Sequence, residues 1–182
     1  MHISLDGFVA GPNGEMNWIQ VDQEIFDHVG KRISLGDTSM YGRNTYEMME
    51  GYWPTAGESP KATKHEIEHS KWYAKVHKVV LSTTMKDASV ANTTFIGDNL
   101  AARIKEIKQQ DGPDILVFGS PTATHSLMQE GLIDGYWLFV NPIILGQGIP
   151  LFVDIKDKIK LQLVSTQQFA NGVTELSYYV DK

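Results

Sequence analysis

The chain has 182 residues, with 16 basic and 22 acidic side chains, no cysteine and 42% hydrophobic content. That balance excludes a disulfide scaffold, a cysteine metal site and the basic footprint of a nucleic-acid wrapper. No apolar run nears the roughly 20 residues of a spanning helix, and no signal-peptide pattern opens the chain, so the expectation is one cytoplasmic domain over residues 1–182.

Periodicity predicts the elements in order. Ile3 to Leu5 ends a first strand, and the glycine-rich loop DGFVAGPNGEMNW follows. Gln23 to Ile33 has helical spacing, with Ile25, Phe26, Val29 and Ile33 on one side. A strand at Thr38 to Tyr41 runs through Gly42 into a helix over Arg43 to Glu50, which Gly51 stops. Gly51 to Pro60 reads as a loop and Ala62 to Tyr73 as a helix. Lys78 to Ser82 and Thr93 to Phe95 read as strands, Asp98 to Gln110 as a helix, and Ile115 to Phe118 as a buried strand. A helix from Pro121 to Glu130 then stops at Gly131, and Tyr136 to Val140 is a strand. At the C-terminus, apolar Ile159, Leu161 and Leu163 alternate with polar residues, Asn171-Gly172 turns the chain, and Val173 to Val180 returns. Strands alternating with helices predict an α/β fold. It would be a single, mostly parallel mixed sheet, flanked by helices on both faces, with a C-terminal antiparallel hairpin. In such sheets ligands sit at the carboxyl ends of strands, so chemistry is sought there.

Three strand ends carry candidate ligand groups. In ILVFGSPTATHSLMQEG, Gly119 follows a buried strand, Ser120 stands where an N-cap belongs and Pro121 where the helix begins. This is either a phosphate cradle at a helix N-terminus or an ordinary capped turn. In MYGRNTYE, Gly42 ends a strand and presents Arg43 and Thr45, groups suited to phosphate oxygens, or else a capped helix with a solvated arginine. In VVLSTT, Ser82, Thr83 and Thr84 could hold a ribose 2′-phosphate or simply fill a turn. Lys61 to Lys86 carries six lysines and two glutamates, a local excess of positive charge in a chain of net charge −6.

Three other patterns point elsewhere. His65-Glu66-Ile67-Glu68-His69 matches H-E-x-x-H literally, but Lys75 and Trp72 replace the third histidine and the glycine of its extended form. It is expected to be an exposed, solvated helix face rather than a zinc hydrolase site. Gly146-Gln147-Gly148 reads as a tight turn, because no helix pattern follows it. Asn92-Thr93-Thr94 matches a glycosylation acceptor, which has no role without secretion. Among the early acids Asp6, Asp22, Glu24 and Asp27, Asp6 follows the first strand directly; it either relays a proton or caps its own loop. Phe8, Trp18 and Trp53 could wall a planar ligand or belong to the core.

SLDGFVAGPNGEMNW, MYGRNTYE, VVLSTT, ILVFGSPTATHSLMQEGLID and PIILGQGIPLF, in that order, resemble the dihydrofolate reductase-like family. The closer resemblance is to its riboflavin-biosynthesis branch, the C-terminal reductase domain of the bifunctional deaminase/reductase and its stand-alone relatives. The resemblance implies NADPH as hydride donor and a small heterocyclic substrate, as in reduction of 5-amino-6-(5-phosphoribosylamino)uracil. It implies that Gly42, Arg43 and Thr45 contact cofactor phosphates and that Ser82 and Thr83 hold the adenosine side. It also implies that Phe118, Gly119, Ser120, Pro121 and Thr122 form the pyrophosphate turn and that Val9 and Ala10 meet the nicotinamide carboxamide. Phe8 and Trp18 would bind substrate, with Asp6 or Asp22 as the acid. No metal is implied, and a homodimer is.

The chain departs from the family pattern in three places. Few residues precede SLDG, so the first strand is expected to be short or to begin upstream. Ser120-Pro121 stands where a second glycine is usual, and the acid of the folate-reducing branch has no clean counterpart at Asp22 or Glu24. A deaminase partner domain, with its cysteine-containing zinc signature, is expected to be missing. The expected function is therefore an NADPH-dependent reductase. Dihydrofolate or pteridine reduction, and a nucleotide-binding module without catalysis, are the alternatives.

Overall fold

The computed structural model describes residues 1–181. In chain order the elements are β1 (His2–Ser4), β2 (Phe8–Ala10), α1 (Gln23–Ile33), β3 (Thr38–Gly42), α2 (Arg43–Glu50), α3 (Trp53–Ala56), α4 (Lys64–Lys75) and β4 (His77–Leu81). They continue with β5 (Thr93–Ile96), α5 (Leu100–Lys108), β6 (Leu116–Val117), α6 (Pro121–Gln129), β7 (Gly135–Asn141), β8 (Ile149–Pro150), β9 (Leu161–Gln168) and β10 (Thr174–Val180). No helix among the described residues is long and apolar enough to cross a membrane. These elements form two compact units, one of Gln23–Ala123 and one of Met1–Asp22 together with the chain from Thr124 onward.

The Gln23–Ala123 unit is built on a parallel sheet in the order β5-β4-β3-β6. Its central strands β3 and β4 are buried over three consecutive residues each, as strands covered on both faces must be. Tyr41, Tyr46, Tyr73 and Val80 form a core against which Met49, Trp53, Trp72, Met85, Phe95 and Phe118 pack. Lys78 is buried in β4 because its ammonium has partners: Glu50 at 3.9 Å and the ring of Tyr73 at 4.4 Å. Tyr73 in turn donates to Glu50 at 2.7 Å.

The other unit carries the sheet β1-β7-β10-β9, where β1 runs parallel to β7 and the remaining pairs are antiparallel. A separate pair, β2 and β8, is antiparallel. Ile3, Val9, Tyr136, Leu138 and Leu151 are its core cluster. The C-terminal hairpin forms as expected. Gly172 takes φ +88°, its amide bonds the Phe169 carbonyl at 3.0 Å, and the Asn171 side chain accepts the Val173 amide at 3.1 Å.

The α/β class is as expected, with the parallel strands and the hairpin in place, while the strands among the described residues form three hydrogen-bonded sheets instead of one. Three short elements, β2, α3 and β8, fall in stretches the sequence presents as loop. Each has at most four residues, too few for a periodicity to register.

Candidate active site

Strand register brings three of the candidate motifs together in the Gln23–Ala123 unit. Gly42 at the end of β3 lies opposite Leu81 at the end of β4, and Met40 lies opposite Val117 at the end of β6. The turns after β3, β4 and β6 therefore emerge side by side from the carboxyl edge of a parallel sheet, where open α/β sheets bind ligands.

The turns after β3 and β6 are joined through one hydroxyl. The Gly42 amide donates to Ser120 Oγ at 2.8 Å, and that hydroxyl donates to the Phe118 carbonyl at 3.1 Å. Gly42 is closely packed here: a Cβ would lie 3.3 Å from the Ala123 Cβ, so a neighbour would have to shift by a few tenths of an ångström, and 3.5 Å from the Ser120 Cβ. Gly119 and Ser120 both take left-handed backbone, with φ +52° and +58°, a conformation glycine adopts freely and serine does not. Ser120 thus fills the place of a second glycine without projecting from the turn, because its side chain is buried against Gly42. It does not act as the expected N-cap: its φ lies outside the extended region caps use, and its hydroxyl bonds Gly42 and Phe118. Pro121 does begin α6, as predicted, and Thr122 is exposed in its first turn. Thr45, half-buried in α2, has its Cγ2 and Oγ1 within 3.8 Å of where a Cβ on Gly119 would stand.

The turn after β4 joins the same group through Arg43. Its Nη1 donates to Thr84 Oγ1 at 3.3 Å, Thr84 and Ser82 hydroxyls lie 3.2 Å apart, and Ser82 Oγ accepts the Met85 amide at 3.2 Å. Arg43 also pairs with Glu47 one turn along, at 3.8 Å and exposed. Thr84 is thus the hydroxyl that reaches the arginine, while Thr83 is exposed and outside this chain of bonds. Lys86 packs into this turn too: a Cβ on Gly97 would lie within 3.0 Å of both Lys86 Cβ and the Ser82 carbonyl. The lysine-rich stretch contributes less charge than its composition implies, since Lys64 pairs with Asp27 at 2.9 Å and Lys78 is buried on Glu50.

The remaining candidates lie in the other unit. Asp6 is bound at both carboxylate oxygens. Oδ1 accepts the Ser4 hydroxyl at 2.6 Å and the Leu145 amide at 3.1 Å, and Oδ2 accepts the Gly146 amide at 2.8 Å. The Ser4 hydroxyl foremost, then the two amides, hold its carboxyl below the usual aspartate range, which favours the charged acceptor. This is the geometry of a loop latch, and it disfavours the proton-donor alternative for Asp6. Gly146-Gln147-Gly148 is the turn that meets this latch. Gly146 has φ +75°, and a Cβ on Gly148 would collide with the Ala10 carbonyl. Phe8, Val9 and Ala10 form β2, with Val9 in the core cluster and Phe8 opposite Pro150. Trp18 is half-buried, with its indole N–H on the Glu15 carbonyl at 3.0 Å. Asp22, half-buried, stands immediately before α1. Asn141 went unremarked in the sequence. It is buried, its amide nitrogen bonds the carbonyls of Ile3 and Phe139, and its oxygen accepts the Gln20 amide at 2.8 Å, anchoring the Trp18 loop. No spacing rule marks such a residue.

The H-E-x-x-H stretch is helical but not the solvated face the sequence suggests. Glu66 accepts the Tyr52 hydroxyl at 2.5 Å and closes a capping box with Thr63; the tyrosine first, then the Thr63 amide and hydroxyl, hold its carboxyl down to about 2. His65 stacks on Phe26 at 3.9 Å, and His69 is 6% exposed against Trp53 at 3.9 Å and Trp72 at 5.0 Å. Neither ring nitrogen of His69 has a hydrogen-bond partner, and burial pushes its pKa down to about 3.

The fold is that of the dihydrofolate reductase-like class: dihydrofolate reductase from Enterococcus faecalis, solved with NADP(H) and RAB-propyl, superposes with a TM-score of 0.64 at 14% identity, over 100% of this chain and 94% of that one. Within that class the chain belongs to the RibD C-terminal domain family, whose model matches residues 1–174. The uncharacterized protein YyaP of Bacillus subtilis (strain 168) is 33% identical over 180 residues, 97% of this chain and 90% of that protein. A protein of Shewanella sp. PV-4 provisionally assigned to riboflavin biosynthesis superposes with a TM-score of 0.70 at 21% identity, over 100% of this chain and 97% of that one.

Proposed function

We propose that the chain is an NADPH-dependent reductase of a small heterocycle, of the class to which 5-amino-6-(5-phosphoribosylamino)uracil belongs. The observation that carries this reading is the meeting of three turns at one sheet edge, in which Gly42, Thr45, Gly119 and Ser120 are close-packed and Arg43, Thr84 and Ser82 form a bonded chain. The residues suit the cofactor. Glycines allow close backbone approach, the first turns of α2 and α6 offer amides to phosphate oxygens, and an arginine with hydroxyls beside it suits a 2′-phosphate. Family membership and the NADP(H) complex of the Enterococcus reductase support the same reading.

When bound, NADPH supplies a hydride, and the chain's task is binding, orientation and exclusion of water. Gly42, Arg43 and Thr45 with Phe118, Gly119, Ser120, Pro121 and Thr122 would hold the phosphates. Ser82 and Thr83, with Thr84, would hold the adenosine end. Val9 and Ala10, through the β2 backbone, would orient the carboxamide, and Phe8 and Trp18 would face the heterocycle. Asp6 or Asp22 would deliver the proton, and the carboxylate of Asp6 is also bonded at both oxygens.

Titration with NADPH, followed by tryptophan fluorescence and melting temperature, tests the reading. Saturating NADPH should raise the melting temperature, and Arg43→Ala should weaken NADPH about tenfold, roughly 1.4 kcal/mol. Absence of any NADPH-dependent stabilisation or retention refutes it. NADPH consumption across pteridines and ribosylamino-pyrimidines then identifies the substrate class.

A further inference from the structure

We infer that the substrate-facing loops of this protein are built for an uncharged, unphosphorylated heterocycle. The inference rests on the reductase proposed above and narrows its substrate. Phe8, Trp18, Asp6 and Asp22, the residues assigned there to the heterocycle and the proton, all lie in the unit of Met1–Asp22 and the chain from Thr124 onward. Two segments of that unit are tied into one rim. The Leu5 amide donates to the Ile143 carbonyl at 2.8 Å, and the Leu151 amide to the Gly7 carbonyl at 2.9 Å. Asp6 accepts the amides of Leu145 and Gly146, and Asn141 accepts the Gln20 amide. The rim therefore runs from Leu5 to Asp22 and from Asn141 to Leu151.

Neither segment contains a lysine or an arginine, and their charged residues are the acids Asp6, Glu15 and Asp22. Hydrogen bonds favour the ionised form of two of these. The Asn13 side chain and amide hold Glu15 below the usual range, as Ser4 and the loop amides hold Asp6. Basic groups packed against the rim are already engaged. His125 gives its Nε2 hydrogen to the Pro150 carbonyl at 3.0 Å, and the Met1 amine donates to the Trp137 carbonyl at 2.6 Å. His2, beside Asn141, is pushed down to about 3 by burial first and the N-terminal charge second, so it is neutral. A phosphate, with its one to two negative charges at neutral pH, meets like charge on this rim and no cation.

The described lysines of this unit stand at the opposite end of its sheet. Lys156, Lys158 and Lys160 fall between Phe152, whose ring meets Tyr136 at 5.6 Å, and Leu161, which pairs with Val180. Ile159, among them, lines one groove with Tyr136 and Val180. Those partners mark the amino end of β7, where Gly135 lies opposite Tyr179, whereas Asn141 is the strand's last residue. The length of the strand separates the two ends by about 20 Å. Arg32, Arg43 and Arg103, the only arginines of the chain, all belong to the Gln23–Ala123 unit. What the rim does present is apolar: Leu5, Met16, Val21 and Ile144 are exposed on the segments that carry Phe8, Trp18 and the acids. Such a surface suits the planar body of an uncharged ring, and carboxylates accept its N–H donors.

Matched pairs that differ only in a phosphate test this: 5-amino-6-ribosylaminouracil with and without its 5′-phosphate, and neopterin with and without its phosphate. Each is titrated into the full wild-type chain saturated with NADP⁺, followed by tryptophan fluorescence, at about 50 and about 500 mM salt. The unphosphorylated member should bind at least about tenfold more tightly, and the phosphorylated member should gain affinity as salt rises, because salt screens repulsion. A phosphorylated member that binds equally or better, or that loses affinity as salt rises, overturns the proposal, since cations would then hold it. So does a chain that binds neither member of either pair. In all these outcomes a melting temperature still raised by NADPH leaves the reductase standing, whereas loss of that stabilisation refutes the reductase itself.

Discussion

Replacing His69 with phenylalanine should remove much of the acid sensitivity of this protein. The imidazole lies between Trp53 and Trp72 with both nitrogens unpartnered, and burial lowers its pKa from 6.5 to about 3. An unfolded chain takes up this proton near pH 6.5, whereas the folded one resists it until about 3. The folded state therefore holds its full stability above pH 6.5 and loses it progressively as pH falls toward about 3. Between about pH 8 and about pH 5 the loss from this one residue is roughly 2 kcal/mol. Phenylalanine keeps the ring contacts and has no nitrogen to protonate. It also removes two unsatisfied polar atoms, so at about pH 8 the variant should be at least as stable as the wild type. Urea unfolding of both proteins at the two pH values measures the difference of differences, expected to be about 2 kcal/mol. His2, also pushed down to about 3 by burial first and the N-terminal charge second, acts with the same sign but is common to both proteins and cancels. Equal pH losses in the two proteins would refute the reasoning, since His69 would then take up its proton equally in both states.

Three further changes probe other parts of the structure. Asp6→Asn keeps the size but cannot accept both loop amides at full strength, so the melting temperature should fall by a few degrees and the wild-type advantage should fade in acid, as pH drops through the lowered Asp6 pKa. An unchanged melting temperature with lost turnover would instead make Asp6 a chemical group. Gly148→Ala forces a Cβ onto the Ala10 carbonyl and should destabilise by about 1–3 kcal/mol in denaturant titration, with strain at β2 visible as faster exchange of the Val9 and Ala10 amides. Glu66→Ala opens the α4 capping box and removes the acceptor of the Tyr52 hydroxyl. A loss of about 1 kcal/mol is expected by the same titration, and no change in zinc content should accompany it.

Much of the framework was legible in the chain itself. β4 and β6 appear as buried-type runs, β3 and β7 as strands, α1 as an apolar stripe, α2 and α6 as helices stopped by glycine, and Asn171-Gly172 as the hairpin turn, because all of these depend on local period and local backbone freedom. The motifs Gly42-Arg43, Ser82-Thr83-Thr84 and Gly119-Ser120 were also recognisable as strand ends carrying ligand groups. What local pattern could not convey is which of them meet. The 3.3 Å bond from Arg43 to Thr84, and the placing of Ser120 on the Gly42 amide, follow from the pairing of β3 with β4 and β6.

The same limit explains what residue type alone could not decide. Asp6 has the composition of a catalytic acid, but only the folded loops reveal that two amides and a hydroxyl claim its oxygens. His65 and His69 have the spacing of metal ligands, but the aromatic rings that bury them come from α1, α3 and α4 itself. The sequence by itself determined the longer helices and strands and the carboxyl ends at which ligand groups would stand, since these arise from interactions within a few residues. The tertiary structure alone decided which side chains are free for chemistry and which are spent on the fold, because a side chain's partners are set by strand register and packing between residues far apart in the chain.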